Sequence, residues 1–141
     1  LIGQEFKGKG YFHGRPSATE YSGDVTFFGN SGPNSREGRE EIRKALREYV
    51  TLNKPYDRSL TREDVPVDAV TESGSGVDPD ISEANARIQA HRVAAVRRLP
   101  LSRVEDLVAA STDGRSLGVL GEPGVNVLEL NITLEEAAPL E

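Results

Sequence analysis

The chain has 141 residues, a length at which one domain buries roughly 68% of its unfolded surface, so a single domain spanning 1–141 is predicted. Its formal net charge of −6, with basic residues scattered along the chain, argues against nucleic acid as a partner, because counterion release needs clustered Lys and Arg. The lack of cysteine excludes disulfides, thiol catalysis and cysteine-ligated zinc, and no run approaches the roughly 18 to 20 apolar residues of a membrane span.

The first quarter of the sequence predicts short extended segments separated by turns. Gly8–His13 places aromatic residues beside glycines and predicts a short strand, which Gly14–Pro16 then ends. Thr26–Phe28 predicts a second short strand. The turn-forming residues of Gly29–Ser35 predict a loop.

A long helix is predicted next, from Arg36 to about Leu52, with Ser35 as its N-cap. Its apolar residues recur at spacings that place them on one helical face: Ile42, Leu46, Tyr49 and Val50. Asn53–Ser59 predicts a connector, and Thr61–Asp64 predicts a single capped turn.

The following stretch predicts a strand, a glycine loop and a helix in succession. Alternation over Val65–Val70 is typical of a half-buried strand, and Ser73–Gly76 gives the backbone freedom to turn. Ser82 stands where a helix N-cap is expected, after Pro79.

Two stripes of residues run along this predicted helix. The first is largely apolar and is expected to be buried: Ile81, Ala84, Ile88, His91 and Ala95. The second is polar and is expected to form hydrogen bonds: Ser82, Asn85, Gln89 and Arg92.

The last third of the sequence predicts one more helix and two strands. Ser102–Glu105 has the capping-box pattern and predicts a short helix that ends at about Ala110. Turns are predicted at Thr112–Gly114 and Gly121–Gly124, and strands at Leu117–Leu120 and Val125–Leu134. Interleaved helices and short strands predict a mixed α/β (α+β) fold, with a short-stranded mixed sheet and about three packed helices.

Two loops carry residues with alternative chemical interpretations. Ser73–Gly76 is similar to an anion-binding glycine loop, but Glu72–Glu83 holds four acidic residues and no Lys or Arg, which favours a tight turn. Asp78 and Asp80 could attract a cation, although the ligand spacing of an EF-hand loop is absent. A diffuse acidic surface is the favoured interpretation, and no metal site is predicted.

The histidines, His13 and His91, give little support for catalysis. A zinc site would need both to converge with a carboxylate, and the GxSxG pattern of a serine nucleophile is absent. His91 lies on the apolar stripe, so we expect a hydrogen-bonded core or boundary residue. No catalytic residue is predicted.

Four blocks of sequence stand in a distinctive order. They are Leu1–Gln4, Tyr11–Ala18, the run Val65–Ser82 followed by Gln89 and Arg92–Ala94, and Gly121–Asn131. Together they resemble the C subunit of the Kdp-type potassium-transporting ATPase, the KdpC family. The blocks span nearly the whole chain, so the match is specific although no single block would suffice.

The resemblance implies a non-catalytic accessory subunit of an ATP-driven, high-affinity potassium uptake complex. Its partners would be the channel-like A subunit, the catalytic B subunit and the small F subunit, with potassium as the transported ion. In the family, the block at Leu1–Gln4 follows a single N-terminal transmembrane helix. The sequence starts with Leu rather than Met, so we expect a membrane anchor before it, with this domain extracytoplasmic in a single-pass protein of the cell membrane.

Candidate site residues also follow from the resemblance. A family glutamine before the Arg-Val-Ala segment is linked to a proposed nucleotide interaction that raises the ATP affinity of the B subunit, and Gln89 occupies that position. The nucleotide-binding candidates are Gln89, Arg92, Ser73, Gly74, Ser75 and Gly76. The docking candidates, on loops 14–35 and 71–83, are Arg15, Pro16, Asn30, Asn34, Asp78 and Asp80.

Two other functions remain open from the sequence. One is a free-standing nucleotide-binding or hydrolytic domain that uses the Ser73–Gly76 loop and Gln89. The other is an unrelated surface-interaction module that shares only the turns. Hydrolysis of ATP by the isolated domain would favour the first of these, because an accessory subunit is expected to show none.

Overall fold

Helices account for most of the structure in the computed structural model, which describes residues 5–17, 35–72, 78–113 and 123–140. In these ranges the α-helices are α1 (Arg36–Asn53), α2 (Glu83–Arg97), α3 (Leu101–Ala110) and α4 (Val127–Ala137). Within the same ranges, none of them combines the length and apolar character that crossing a bilayer requires.

Three very short strands form one antiparallel sheet in the described part of the chain. They are β1 (Asp80–Ser82), β2 (Thr112–Asp113) and β3 (Gly124–Asn126), in the order β1-β3-β2. Ile81 and Thr112 both face Val125, on either side of the central strand. The predicted mixed α/β class with short strands is therefore confirmed.

Side-chain caps fix where three of the helices begin. The Ser35 hydroxyl accepts a hydrogen bond from the Gly38 N–H, and the Ser82 hydroxyl accepts one from Asn85, so both predicted N-caps are confirmed. Asn126 caps α4 by accepting from the Glu129 N–H. The predicted capping box at Ser102 is wrong, because α3 begins one residue earlier, at Leu101, and has no side-chain cap.

The predicted strand over Val65–Val70 is wrong. This stretch is a series of turns with a single 3-10 turn at Val67–Ala69, and the Val67 side chain is 72% exposed. The Asp68 carboxylate accepts hydrogen bonds from the backbone and hydroxyl of Ser82 and from the Asn85 amide. These bonds hold Asp68 against the start of α2. The backbone therefore forms turns here, although the alternating residue pattern alone predicted a strand.

The predicted strand over Val125–Leu134 is also wrong beyond its first residues. The strand ends at Asn126 and α4 follows directly. Leu130 and Leu134 are fully buried while Ile132 is 52% exposed, as the helical spacing of four residues requires. Residues that alternate along a strand also recur every fourth position, so the same pattern fits a helix. The Asn126 cap favours the helix.

The remaining sequence predictions for loops and strands have mixed outcomes. The strand predicted at Gly8–His13 is wrong: a turn from Gly8 to Tyr11 leads into a segment that belongs to no described helix or strand. The turns predicted at 112–114 and 121–124 are wrong at Thr112, Asp113 and Gly124, which are strand residues. Thr26–Phe28, most of the 29–35 loop, Ser73–Gly76, Gly114, Leu117–Leu120 and Gly121 lie outside the described residues.

One apolar cluster joins the helices to the sheet. Phe12, from the N-terminal segment, lies in it at 0% exposure. Its other buried members are Ile81, Ala86, Ala90, Val93, Ala94, Val104, Leu107, Val108, Val125, Val127, Leu130 and Leu134. The core therefore needs a residue from a segment that belongs to no described helix or strand.

Candidate functional site

The polar stripe of α2 is buried, and most of the predicted apolar stripe is not. Asn85, Gln89 and Arg92 are at most 1% exposed. Of the apolar stripe only Ile81 is buried; Ala84 and Ala95 are exposed, and Ile88 and His91 are half-buried. The expected burial of that stripe is thus wrong, whereas the expectation that the polar stripe forms hydrogen bonds is confirmed.

The segment Lys9–His13, which we call the N-terminal strap, is the main partner of this polar stripe. The Gln89 side chain pairs with the His13 backbone, accepting from its N–H at 2.8 Å and donating to its carbonyl at 2.9 Å. The same amide donates to Asn85 Oδ1 and accepts from the Arg92 guanidinium. Both donors and both acceptor positions of Gln89 are therefore used within the chain.

Asn131 repeats this arrangement from α4, one residue earlier on the strap. Its Oδ1 accepts from the Phe12 N–H and its Nδ2 donates to the Phe12 carbonyl, both at 2.9 Å. The sequence analysis did not identify Asn131. The available signal was an Asn four residues after Val127, on the face of α4 that also carries Leu130 and Leu134.

Arg92 is a fully buried cation whose hydrogen-bond acceptors are uncharged. Its guanidinium donates to the carbonyls of Lys9 and Tyr11, to Asn53 Oδ1 and to Gln89 Oε1. Burial lowers the pKa of Arg92 to about 10, so the side chain stays protonated at neutral pH. Charge solvation by oriented amide and carbonyl dipoles replaces the ion pair that a buried arginine normally makes.

Arg97, one and a half turns further along α2, joins the strap to the end of the chain. Its Nε donates to the Gly10 carbonyl at 2.6 Å, and its terminal nitrogens donate to the Ala138 carbonyl and to Glu135. The guanidinium also lies 4.8 Å from the centre of the Tyr11 ring. The hydrogen bond from Arg97 lowers the pKa of Glu135.

His13 lies at the edge of this network. Its backbone is held by Gln89, and its Nε2 lies 2.9 Å from the Gly8 carbonyl. Burial and the nearby Arg92 charge lower the pKa of His13 below its ordinary value of 6.5. The neutral imidazole is therefore the form that the fold favours.

The described docking candidates meet at a separate place, just beyond the strap. Arg15 forms an ion pair with Asp78 at 3.5 Å and donates to the Glu72 carbonyl at 3.0 Å. Asp78 in turn accepts from the Asp80 N–H. Arg15 and Pro16 also line a cleft of about 400 Å³ whose opposite wall is the α1 face that carries Tyr49.

The structure brings some predicted site residues together and leaves others apart. Gln89 and Arg92 are in contact inside the domain, and Arg15, Asp78 and Asp80 are joined near its surface. Ser73, Gly74, Ser75, Gly76, Asn30 and Asn34 lie outside the described residues. Over the described ranges, no group of three or more His, Cys, Asp or Glu residues is placed to hold a metal ion.

Comparisons with known proteins give one consistent family. The family described as "KdpC: K+-transporting ATPase, c chain" matches residues 1–136. A potassium-transporting ATPase KdpC subunit of Kineococcus radiotolerans is 50% identical over 141 residues, which cover 99% of this chain and 69% of that protein. The KdpC subunits of Methylobacterium nodulans and Bacillus mycoides are 44% and 37% identical, over 98% and 96% of this chain and 72% and 68% of theirs.

Proposed function

Because the chain belongs to the KdpC family of K+-transporting ATPase subunits, we propose that it stabilises the potassium pump by docking on its neighbouring subunits. It is an accessory subunit of that pump, and its partners are other Kdp subunits. The proposed contacts are with the channel-like A subunit and the catalytic B subunit, together with the small F subunit.

The proposed docking face consists of Arg15, Pro16, Asp78 and Asp80. The observation that carries this proposal is the ion pair between Arg15 and Asp78, which joins two loops that are far apart in sequence. The side chains of this pair are 23% and 34% exposed, so each can still meet a partner. The adjoining cleft of about 400 Å³ offers a concave surface beside the charged pair. Asn30 and Asn34, which the sequence analysis also names as docking candidates, lie outside the described residues.

The proposed location of the domain is extracytoplasmic, held to the cell membrane by a single transmembrane helix. A net charge of −6 supports a place near the route of an incoming cation, because fixed negative charge raises the local concentration of cations. In this role the domain assists potassium in reaching the channel-like subunit and performs no chemistry of its own.

A second role, raising the ATP affinity of the B subunit through Gln89, stays a prediction. Every hydrogen-bonding position of the Gln89 amide is used by His13, Asn85 and Arg92. A nucleotide would therefore have to displace the His13 backbone from Gln89. We accordingly place docking first and nucleotide binding second.

The test of docking is a charge swap in the complete pump. We expect Asp78→Lys and Arg15→Glu each to reduce the amount of A and B subunit that copurifies with the chain, and to reduce potassium uptake. The double variant with Arg15→Glu and Asp78→Arg restores an internal ion pair while reversing the charges presented to a partner. If the face binds a partner, this double variant also assembles poorly.

Matched controls separate docking from folding. Asp106→Lys and Arg103→Glu make the same charge changes at exposed positions of α3 and should leave assembly unchanged. Normal assembly of the double variant would instead mean that the pair serves only the fold of the domain. Normal assembly and transport by both single variants would overturn the docking proposal itself.

A further inference from the structure

The two halves of α1 differ in how they contact the domain. In the first half, residues 36–44, every residue is exposed except Gly38, which is half-buried. We call this half the α1 arm; it is about 14 Å long at the rise of an α-helix. The second half is anchored, because the Tyr49 hydroxyl donates to Asn85 Oδ1 at 2.7 Å and Asn53 is only 1% exposed.

The apolar face of α1 continues from the anchored half onto the arm. Ile42, Leu46 and Tyr49 lie on this face, at spacings of four and three residues. Leu46 and Tyr49 are half-buried, whereas Ile42 is 43% exposed. A single exposed isoleucine is ordinary on a protein surface. This one, however, extends the face that packs on the domain, so the apolar face is longer than the surface that covers it.

Opposite charges flank Ile42 on the two sides of the α1 arm. Arg39 and Arg43 lie about 60° and about 100° from Ile42 on one side. Glu41 lies about 100° from it on the other side. All three charged side chains are exposed, and over the described ranges neither arginine takes part in an ion pair. Both arginines are therefore available to acceptors on a partner.

Local interactions hold the α1 arm in helical form. The Ser35 hydroxyl caps its first turn, and two ion pairs each span one turn, Arg36 with Glu40 and Lys44 with Glu48. Caps and pairs of this kind stabilise a helix without tertiary packing. The arm is thereby ordered in advance, so a partner that binds it does not have to order it.

We propose that the α1 arm docks in an apolar groove on a neighbouring subunit of the pump, where Ile42 is covered and an acidic wall meets Arg39 and Arg43. The inference rests on the proposed docking function and adds a second contact surface to it. The two surfaces adjoin, because α1 supplies Ala45, the residue after the arm, to the cleft of about 400 Å³ that Arg15 also lines.

The distribution of charge on α1 favours a protein groove over a lipid surface. The helix carries five basic and four acidic residues, so it is nearly neutral as a whole. Attraction to an anionic bilayer depends on a surplus of basic residues, which this helix lacks. A groove with one acidic wall contacts the arginine side separately from Glu41, so it gains from the segregation of charge.

The first test identifies what covers the arm in the complete pump. Photoreactive p-benzoylphenylalanine replaces Ile42, and the matched control carries it in place of Lys44, about 160° around the helix. We expect position 42 to cross-link to a neighbouring pump subunit, in a peptide with apolar residues and Asp or Glu, and position 44 to give no such product. Cross-links from position 42 only to lipid, or only to residues 18–34 of the same chain, would overturn the proposal.

The second test reverses the charges on the arm. Arg39→Glu and Arg43→Glu should each weaken binding of the chain to the other pump subunits by about tenfold, because like charges then meet across the interface. Lys44→Glu makes the same change of charge on the opposite side and should bind normally. An unchanged Tm for each purified chain shows that the domain is folded. Normal binding by both arginine variants, or an equal loss with Lys44→Glu, would contradict the acidic wall.

These outcomes are separable from those of the charge swap at Arg15 and Asp78. If those variants assemble normally while position 42 still cross-links to a pump subunit, the docking face at Arg15 is excluded and the α1 arm remains. If position 42 gives no cross-link to a subunit while the Arg15 and Asp78 variants fail to assemble, the arm is excluded and the docking face remains.

Discussion

The N-terminal segment has two halves that are held in different ways. Residues 9–13 are held by buried side chains, with well-aligned bonds such as the 2.8 Å contact between the His13 N–H and Gln89. Residues 14–17 include Arg15, whose ion pair with Asp78 spans 3.5 Å and is partly open to solvent. Residues 9–13 belong to the core, whereas residues 14–17 form a partly exposed surface beside it.

The difference follows from the cost of leaving polar groups unpaired. A buried carbonyl that loses its donor costs about 1 to 3 kcal/mol, since no water replaces the bond. An exposed ion pair is screened by water and contributes about 0 to 1 kcal/mol. The first half should therefore respond strongly to substitution and the second weakly, so that the docking residues can vary while the domain stays folded.

The largest expected effect comes from Arg92→Met, which keeps much of the side-chain volume but removes the donors. The carbonyls of Lys9 and Tyr11 would lose their partners, and the free energy of unfolding should fall by about 3 kcal/mol. Chemical denaturation measures this change. The control is Arg87→Met on the exposed face of α2, where Arg87 forms an exposed ion pair with Glu83 and the change should stay within about 0.5 kcal/mol. Similar losses for both variants would show that Arg92 does not hold the strap.

A smaller effect is expected from Asn131→Ala and Gln89→Ala, at about 2 kcal/mol each. Each variant removes the pair of bonds to one strap residue, Phe12 or His13. The amides of those residues should lose more hydrogen-exchange protection than the amides in the middle of α2. Glu136→Ala, at an exposed position of α4, should change neither quantity. A uniform loss of protection along the chain would argue that the strap and the helices open together.

Local signals in the sequence identify the starts of α1 and α2 but not the burial of their faces. Ser35 and Ser82 are predicted as caps because a hydroxyl before a helical pattern has a specific backbone donor to bind. The sequence predicts that the stripe with Gln89 and Arg92 forms hydrogen bonds, but it does not predict that the stripe is buried, since polar residues are mostly exposed. Its burial depends on the strap, which lies more than 70 residues away in sequence, and no local pattern encodes that contact.

The docking residues show the same limit. Resemblance to a family selects Arg15 and Asp78 separately, yet their ion pair arises from the tertiary fold. Asn131 escapes detection because the stretch around it is predicted as a strand, and Arg97 because a polar residue at the end of a helix is also compatible with a solvated position. The strand predicted at Val125–Leu134 fails for a related reason, because its alternation also contains the spacing of a helix.

The pH dependence of stability offers a third test of the buried half. Because the pKa of His13 is lowered in the folded domain, the unfolded chain takes up a proton first as the pH falls below 6.5. The free energy of unfolding should therefore decrease from about pH 7.5 to about pH 5.5, above the range in which carboxylates titrate. His13→Gln should flatten this dependence. A slope that survives His13→Gln would assign the effect to another group.

The smallest expected effect on stability is at residues 14–17 and their ion-pair partner Asp78. Arg15→Ala and Asp78→Ala should each lower the free energy of unfolding by less than about 1 kcal/mol, and a double-mutant cycle should give a coupling below about 1 kcal/mol. The reason is the 3.5 Å separation of a pair that water can reach. A coupling as large as the Arg92→Met effect would mean that both halves belong to one rigid unit. A small coupling, found together with loss of pump assembly, would show that the strap determines the positions of Arg15 and Asp78. Their charges would then act in binding the partner subunit.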